Sequence, residues 1–340
     1  MPDPIVIWGA GAIGGTIGAY LAQAGHDVLM VDRVAAHVAE IRAGRLSIEG
    51  PVDNFTVGAD ACTPDELRGR FGRILLAVKA QDTAAATQAL LTHLHEDGFV
   101  LSCQNGLNPP VIADIVGAPR TLAAQVAFAP DWLAPGRILL GNRGPFAIGE
   151  LDGQVTPRLE ALLAVLRDFE PGAEITTDIY ADLWSKMALA VLLKASALTN
   201  DTIADFITRP DMLDAQIALV REVVAVAHAL GLHLHAFQHF DPEAFPQADT
   251  ASLARMFEAH ATIRRASAKQ RSGIWRDLAV RRRKTEVPAQ LAPIRTLARR
   301  HGIATPMIDA LEELILRIEA GQAMPGDGLE TTLSRVAASG

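Results

Sequence analysis

Residues 5–14 constrain this chain more than any other stretch. Ile5-Val6-Ile7-Trp8 is a short apolar run, and Gly9-Ala10-Gly11-Ala12-Ile13-Gly14 follows it directly. An apolar strand that runs into three glycines at this spacing, then into an Ala-rich helical stretch, reads as the opening of a dinucleotide-binding βαβ unit. Each glycine has its own mechanical reason. Gly9 permits a tight turn, Gly11 lets the backbone approach a pyrophosphate, and Gly14 lets the helix lie close against the strand. Ala12 and Ile13 then open the helix, where unpaired N–H groups and the helix dipole favour an anion.

A second apolar run, over 27–31, ends at Asp32. A carboxylate there accepts hydrogen bonds from ribose hydroxyls and repels a 2′-phosphate, so NAD is the expected cofactor. Arg33, next in line, would pair with that phosphate and keeps NADP open.

The rest of the first half alternates. Apolar runs over 73–78 and 99–102 are separated by Ala-rich helical stretches over 14–24, 37–43 and 83–94. Strand alternating with helix predicts a mostly parallel sheet. A β-rich stretch over 120–148, punctuated by Gly and Pro, closes that domain. Past residue 175 the pattern changes: 182–198, 212–230, 252–269, 288–301 and 307–320 read as helices, with no strand pattern between them. The expected fold is an α/β N-terminal Rossmann domain over 1–177, an all-α C-terminal domain over 178–325, and a loose tail over 326–340. A chain of 340 residues accommodates two domains comfortably.

Charge and cysteine content narrow the class. Acidic residues outnumber basic ones, 39 to 31, which argues against a general nucleic-acid binder. Two distant cysteines, Cys62 and Cys103, exclude a disulfide scaffold and fit a reducing cytoplasm. Cys103 reads as a small buried filler. The chain enters its first apolar run with no basic leader, and the apolar stretch over 187–198 is interrupted by Lys194 and too short for a bilayer. The expectation is a cytoplasmic protein with a small-molecule substrate, no nucleic-acid or membrane partner, and a possible homodimer. His228, His233, His235 and His239 straddle a helix end and an irregular loop with no cysteine nearby, so no metal is expected. Arg281-Arg282-Arg283-Lys284 reads as a solvated helix face, part of which draws anions toward a cleft.

Three further positions carry chemistry. Lys79 ends the strand Leu75-Leu76-Ala77-Val78-Lys79, and Asn105-Gly106 follows the next apolar strand; both point to the carboxyl ends of a parallel sheet, where ligands bind. By itself Asn105-Gly106 is equally a turn. Lys186 lies in the apolar helix Asp182-Leu183-Trp184-Ser185-Lys186-Met187. A buried lysine holds its proton weakly and serves in proton transfer, whereas one that snorkels to solvent does not.

In this order, the glycine turn, Lys79, Asn105-Gly106, the Leu183-Trp184-Ser185-Lys186 helix and Thr285-Glu286 resemble the ketopantoate reductases (2-dehydropantoate 2-reductases), over about residues 4–320. The resemblance implies an NAD(P)-dependent reduction of a 2-oxo acid. Lys186 would donate a proton to the carbonyl, Glu286 would hold that lysine and touch the substrate hydroxyl, and Lys79 and Asn105 would line the cofactor and substrate pocket. A cationic donor stabilises the charge that grows on a ketone oxygen under hydride attack. The chain also departs from the family. Two asparagines that follow the lysine at four and eight positions are here Ala190 and Lys194. The stretch after Glu286 is Val287-Pro288-Ala289-Gln290, and the serine that helps hold the substrate carboxylate falls near Ser272 or Gly273. Ala190, Lys194, Ser272 and Asn105 are therefore the candidate substrate contacts, and a substrate other than ketopantoate is expected.

Two rival functions compete. An opine- or 3-hydroxyacid-type dehydrogenase shares the two-domain plan but relies on a histidine, and the Lys186 helix has none. A non-catalytic NAD(H)-sensing protein would need no proton donor.

Overall fold

The computed structural model describes residues 3–339. They divide into two compact units, the first ending at Ile179 and the second beginning at Tyr180.

The first unit runs β1 (Ile5–Trp8), α1 (Ala12–Gln23), β2 (Val28–Val31), α2 (Ala35–Arg42), β3 (Leu46–Glu49), β4 (Phe55–Val57), β5 (Asp60–Cys62), β6 (Phe71–Leu76), α3 (Thr83–Leu91), β7 (Leu94–Ser102), α4 (Pro109–Val116), β8 (Thr121–Val126), β9 (Pro130–Ala134), β10 (Arg137–Leu140), β11 (Phe146–Glu150), α5 (Pro157–Leu166) and β12 (Glu174–Ile175). Its main sheet has eight strands in the order β12-β11-β8-β7-β6-β1-β2-β5. Pairing is parallel except between β8 and β11. β1 is central and wholly buried, which is why its four residues are all apolar. Ile5 and Ile7 face one core and Val6 and Trp8 the other, as the two-residue period of a strand requires. The α/β class with a mostly parallel sheet is the one that the strand–helix alternation predicts.

The 120–148 stretch does more than close this sheet. β8 and β11 join it, but β9 and β10 leave it for a second, four-stranded sheet ordered β4-β3-β10-β9. There β3 pairs with β10 in parallel, Ser47 opposite Arg137. Cys62 and Cys103 are free and buried, and burial pushes both thiols up.

The second unit is helical: α6 (Ile179–Ala195, whose first residue still belongs to the first unit), α7 (Ile203–Ile207), α8 (Leu213–Ala229), α9 (Thr250–Ala266), the short α10 (Gly273–Trp275) continuing as one π-helical turn over Arg276–Val280, α11 (Val287–Arg300), α12 (Pro306–Glu319) and α13 (Thr331–Ala337). α12 buries Met307, Ile308, Leu311, Leu314, Ile315 and Ile318, a stripe at helical spacing. Each such side chain contributes about 1.5–3 kcal/mol when fully buried. The start of α12 is capped from α8: the Glu222 carboxylate accepts from the Met307 and Ile308 amides at 2.8 and 2.9 Å. Burial pushes that carboxyl up to about 7.

Two expectations fail here. Residues 326–339 are not a loose tail, because α13 seats Leu333 in the interior. The basic run 281–284 is not a helix face. Arg281 and Arg283 instead fold back on the buried Asp277 carboxylate, at 3.0 and 2.9 Å. A buried carboxylate demands cations, and two arginines from the run that follows supply them. Among the described residues no helix is long and apolar enough to cross a membrane.

Candidate active site

The first unit builds its site from loops at the carboxyl ends of β1, β2, β6 and β7. Gly9 takes φ +97°, and a Cβ on it would stand 2.8 Å from the Val78 amide nitrogen. A Cβ on Gly14 would overlap the Gly9 carbonyl oxygen and stand 2.9 Å from the Ile7 side chain. Gly11 is the opposite case, since nothing lies within 4 Å of where its Cβ would be. Gly11 is also the N-cap of α1, with no side chain capping the first turn formed by Ala12, Ile13 and Gly14. An uncapped helix N-terminus with clear space beside its cap residue fits a diphosphate.

His37 of α2 fixes this turn, and the sequence analysis did not single it out. It is 1% exposed. Its Nδ1 accepts from the Gly136 amide at 2.9 Å, so Nε2 carries the proton and donates to the Ala10 carbonyl at 2.7 Å. Asp32 sits just past β2, with Oδ1 accepting from the Val34 amide at 2.9 Å. Arg33 lies 3.6 Å from Asp82, with 76% of its side chain exposed.

Lys79 lies beyond the end of β6 rather than within it, as the N-cap of a short 3-10 turn over Ala80–Asp82. Asn105 lies beyond β7, its carbonyl accepting from Asn108 Nδ2 at 2.9 Å. Buried Gln104 joins the two loops, its Nε2 donating to the Val78 carbonyl at 2.9 Å and to Thr83 Oγ1 at 2.8 Å. Thr83 in turn donates to Asn108 Oδ1 at 3.1 Å. Sequence reasoning passed over Gln104; an amide directly after an apolar strand and before Asn-Gly was the available sign.

The second unit centres on α6. Leu183, Trp184, Met187, Ala188, Val191, Leu192 and Ala195 are all buried, so the helix is apolar nearly all round. Lys186 and Lys194 interrupt it. Lys194 is 1% exposed, and Lys186 is half-buried. Burial pulls the Lys186 amine down to about 7, with Lys194, Arg264 and Lys269 pulling the same way and Glu286 opposing them. Burial likewise pulls Lys194 down to about 8, again opposed by Glu286.

Glu286 immediately precedes α11, whose Pro288 stands in the first turn where a missing N–H costs nothing. Thr285 anchors it: the Thr285 amide and hydroxyl both donate to Glu319 Oε1 of α12, at 2.8 and 2.7 Å. Glu319 is a third residue the sequence did not reveal, because its partner Thr285 lies 34 positions away in the chain. Arg264 of α9 donates from Nε to His260 Nε2 at 3.0 Å, and His260 Nδ1 donates to the Gln238 carbonyl at 2.9 Å. Burial holds His260 down to about 4, so it accepts as a neutral ring.

Ser272 is 5% exposed, and its Oγ accepts from the Trp275 amide at 3.1 Å, which employs it as a helix cap. Ala190 is half-buried on α6. Asp277, held by its arginines, is committed elsewhere than to Lys186. Two of the clustered histidines pair with carboxylates, His228 with Glu243 at 3.0 Å and His235 with Asp182 of α6 at 2.8 Å.

Comparison with known proteins places both units. Residues 5–153 match the family described as ketopantoate reductase PanE/ApbA, and 178–319 match its C-terminal counterpart. A 2-dehydropantoate 2-reductase of Mesorhizobium japonicum is 24% identical over 92% of this chain and 97% of its own. A solved PanE/ApbA family ketopantoate reductase from Ralstonia eutropha superposes with a TM-score of 0.76 at 26% identity, over 94% of this chain and 99% of that one. D-mandelate dehydrogenase, solved with NADH and anilino(oxo)acetate, superposes with a TM-score of 0.80 at 20% identity, over 94% and 98% of the two chains.

Proposed function

The chain belongs to the ketopantoate reductase PanE/ApbA family, and on that premise we propose that it reduces the carbonyl of a small 2-oxo acid, or oxidises the matching 2-hydroxy acid, with Lys186 as acid and base. Membership makes it an NAD(P)-dependent oxidoreductase acting on a carbonyl or alcohol carbon. The observation that carries the assignment of Lys186 is its amine, buried beside Glu286 and drawn down to about 7. A donor poised near neutrality gives up its proton at little cost and recovers it readily.

The glycine turn and the first turn of α1 hold the diphosphate, and Asp32 receives the ribose hydroxyls, so NAD(H) is the proposed cofactor. Lys79 and Asn105 line the same pocket, on loops that Gln104 keeps together. The nicotinamide, when bound, supplies or takes the hydride. As the carbonyl carbon is reduced, Lys186 passes a proton from Nζ to the carbonyl oxygen and is left neutral; in oxidation the neutral amine takes the alcohol proton. Glu286 holds Lys186 in place and accepts from the substrate hydroxyl. Ser272 helps to hold the carboxylate next to the reacting carbon, and Ala190 leaves room beside it. The cytoplasmic homodimer expected from the sequence stays part of this proposal, and sedimentation of the purified protein tests the dimer.

The likeness to D-mandelate dehydrogenase favours the oxidative direction as a second reading. A panel of 2-oxo acids with NADH and NADPH, and of 2-hydroxy acids with the oxidised forms, followed at the nicotinamide absorbance, tests both. Turnover of at least one acid is expected. Cofactor binding without turnover of any acid would favour the sensing protein instead.

A further inference from the structure

Arg264 is a cation near Lys186 that no carboxylate among the described residues meets. Its charge acts on Lys186, which puts the two in one neighbourhood. Glu286 acts on Lys186 and on Lys194, whereas burial alone bears on Arg264 and pulls its guanidinium down to about 10. Arg264 is therefore a cation at neutral pH, and a guanidinium drawn out of water calls for an anion. The one partner it has is uncharged: Nε donates to the neutral His260 ring at 3.0 Å. Among the described residues nothing accepts from Nη1 or Nη2, and neither nitrogen is sealed from solvent. Those two nitrogens form the end of the fork that fits a carboxylate.

The fork is held from behind. His260 is wholly buried on α9, one turn before Arg264. Its Nδ1 donates to the Gln238 carbonyl at 2.9 Å, which turns Nε2 toward the arginine as an acceptor. Gln238 and His239 form the tip of a tight turn, closed by Phe237 and Phe240, which exchange backbone hydrogen bonds at 2.9 and 2.8 Å. Both tip residues take positive φ, +49° and +59°. Asn and Gly are the usual occupants of such tips, and a Gln-His pair persists there only where its surroundings fix it. Phe240, fully buried, packs against Phe245 and the His260 ring. Turn, imidazole and guanidinium thus make one braced chain.

We propose that Arg264 binds the substrate carboxylate through Nη1 and Nη2, and that His260 is the positioning residue that orients it. This rests on the 2-oxo acid reading above and adds a specificity-determining residue to it. In a 2-oxo acid the carboxylate is bonded directly to the carbonyl carbon, so the groups that serve the two must be neighbours, as Arg264 and Lys186 are. Ser272 accepts from the Trp275 amide and has only its hydroxyl proton left to offer, which cannot balance a negative charge. Arg264 supplies that balance. It also stands in the last turn of α9, where a cation favours the helix dipole. An arginine serving only the dipole would change stability and leave the choice of substrate untouched.

The test compares kcat/KM for each 2-oxo acid of the panel with that for its uncharged primary amide, in the wild type, Arg264→Gln and Arg264→Lys. The wild type is expected to prefer the acid, and Arg264→Gln to lower that preference by about tenfold or more, as loss of a bidentate charge-assisted contact requires. Arg264→Lys keeps the charge without the fork and should retain part of the preference. His260→Phe keeps the ring and removes its acceptor; it should raise KM for the acid more than it lowers kcat and leave KM for the amide nearly unmoved. Inhibition of the wild type by oxamate and by oxamide needs no variant, and oxamate should act at the lower concentration. Equal kcat/KM for acid and amide in the wild type, equal inhibition by the two oxalic derivatives, or a preference that survives Arg264→Gln overturns the inference while leaving 2-oxo acid reduction in place. Failure of the wild type to reduce any 2-oxo acid overturns the 2-oxo acid reading and the inference with it.

Discussion

Lys194 lowers the proton affinity of Lys186 from two turns further along the same helix, while Glu286 acts on both amines in the opposite sense. The charges of Lys194 and Glu286 therefore act on Lys186 in opposite senses, and the pH dependence of turnover reports on Lys186 directly. Reduction needs the ammonium form of Lys186, so its rate should fall as pH rises through about 7; oxidation needs the neutral amine and should rise over the same range. Lys194→Asn removes a cation and should move the midpoint to higher pH. Glu286→Gln removes an anion and should move it lower. Midpoints that stay fixed in both variants would detach Lys186 from the titration.

Removal of the donor itself should be severe. Lys186→Ala is expected to lower kcat by about 10²–10⁴-fold with cofactor binding retained, the range for a lost general acid. Glu286→Ala should lower turnover less, and the double variant should lose less than the two single losses combined, because the pair acts as one unit. A folded Lys186→Ala protein that binds cofactor and turns over at the wild-type rate would falsify the assignment.

The two glycines should fail in different ways. Gly11→Ala adds a methyl group into clear space, so the free protein should unfold within about 0.5 kcal/mol of the wild type. Its cofactor dissociation constant should nevertheless rise tenfold or more, by about 1.4 kcal/mol, because the methyl group stands where the diphosphate approaches. Gly14→Ala drives a methyl group into the Gly9 carbonyl and should destabilise by about 1–3 kcal/mol before any ligand is added. Denaturant unfolding and cofactor titration separate the two effects. Equal stability losses would mean that both glycines serve packing.

Asp32→Ala tests the cofactor. Loss of the ribose contacts should cost NADH about 1–3 kcal/mol in kcat/KM and NADPH much less. A wild type that prefers NADPH would transfer the role to the exposed Arg33.

How far the chain could be read without coordinates depends on how local each determinant is. The β1–α1 turn was legible because strand, glycines and helix are contiguous, and the apolar period of α6, α8, α9, α11 and α12 shows through their sequences. The second sheet was not, since no pattern in 46–49 announces a partner at 137–139. In the second unit the sequence offers Lys186 and Glu286, but the anchoring of Thr285 by Glu319 of α12 depends on how separate elements pack together. The basic run misled because local charge suggests a solvated surface, while Asp277, buried at 1% exposure, captures two of its arginines.

The pairing of β3 with β10 has a consequence during synthesis. Arg137 and Glu49, 88 positions apart, close the second sheet with an ion pair at 2.7 Å. As the chain leaves the ribosome, β3 and β4 emerge early and have only each other as strand partners in this sheet, a two-stranded ribbon of marginal stability. Leu46 and Ile48 are buried in the finished protein, and the edge of β3 that receives β10 stays unpaired until residues 137–140 arrive. At about 5–20 residues per second that interval lasts several seconds. For that time the nascent chain carries an unpaired strand edge with apolar side chains, the kind of surface that neighbouring nascent chains or chaperones engage. Slowing translation between these two segments should therefore lower the soluble yield without altering a single contact in the native fold.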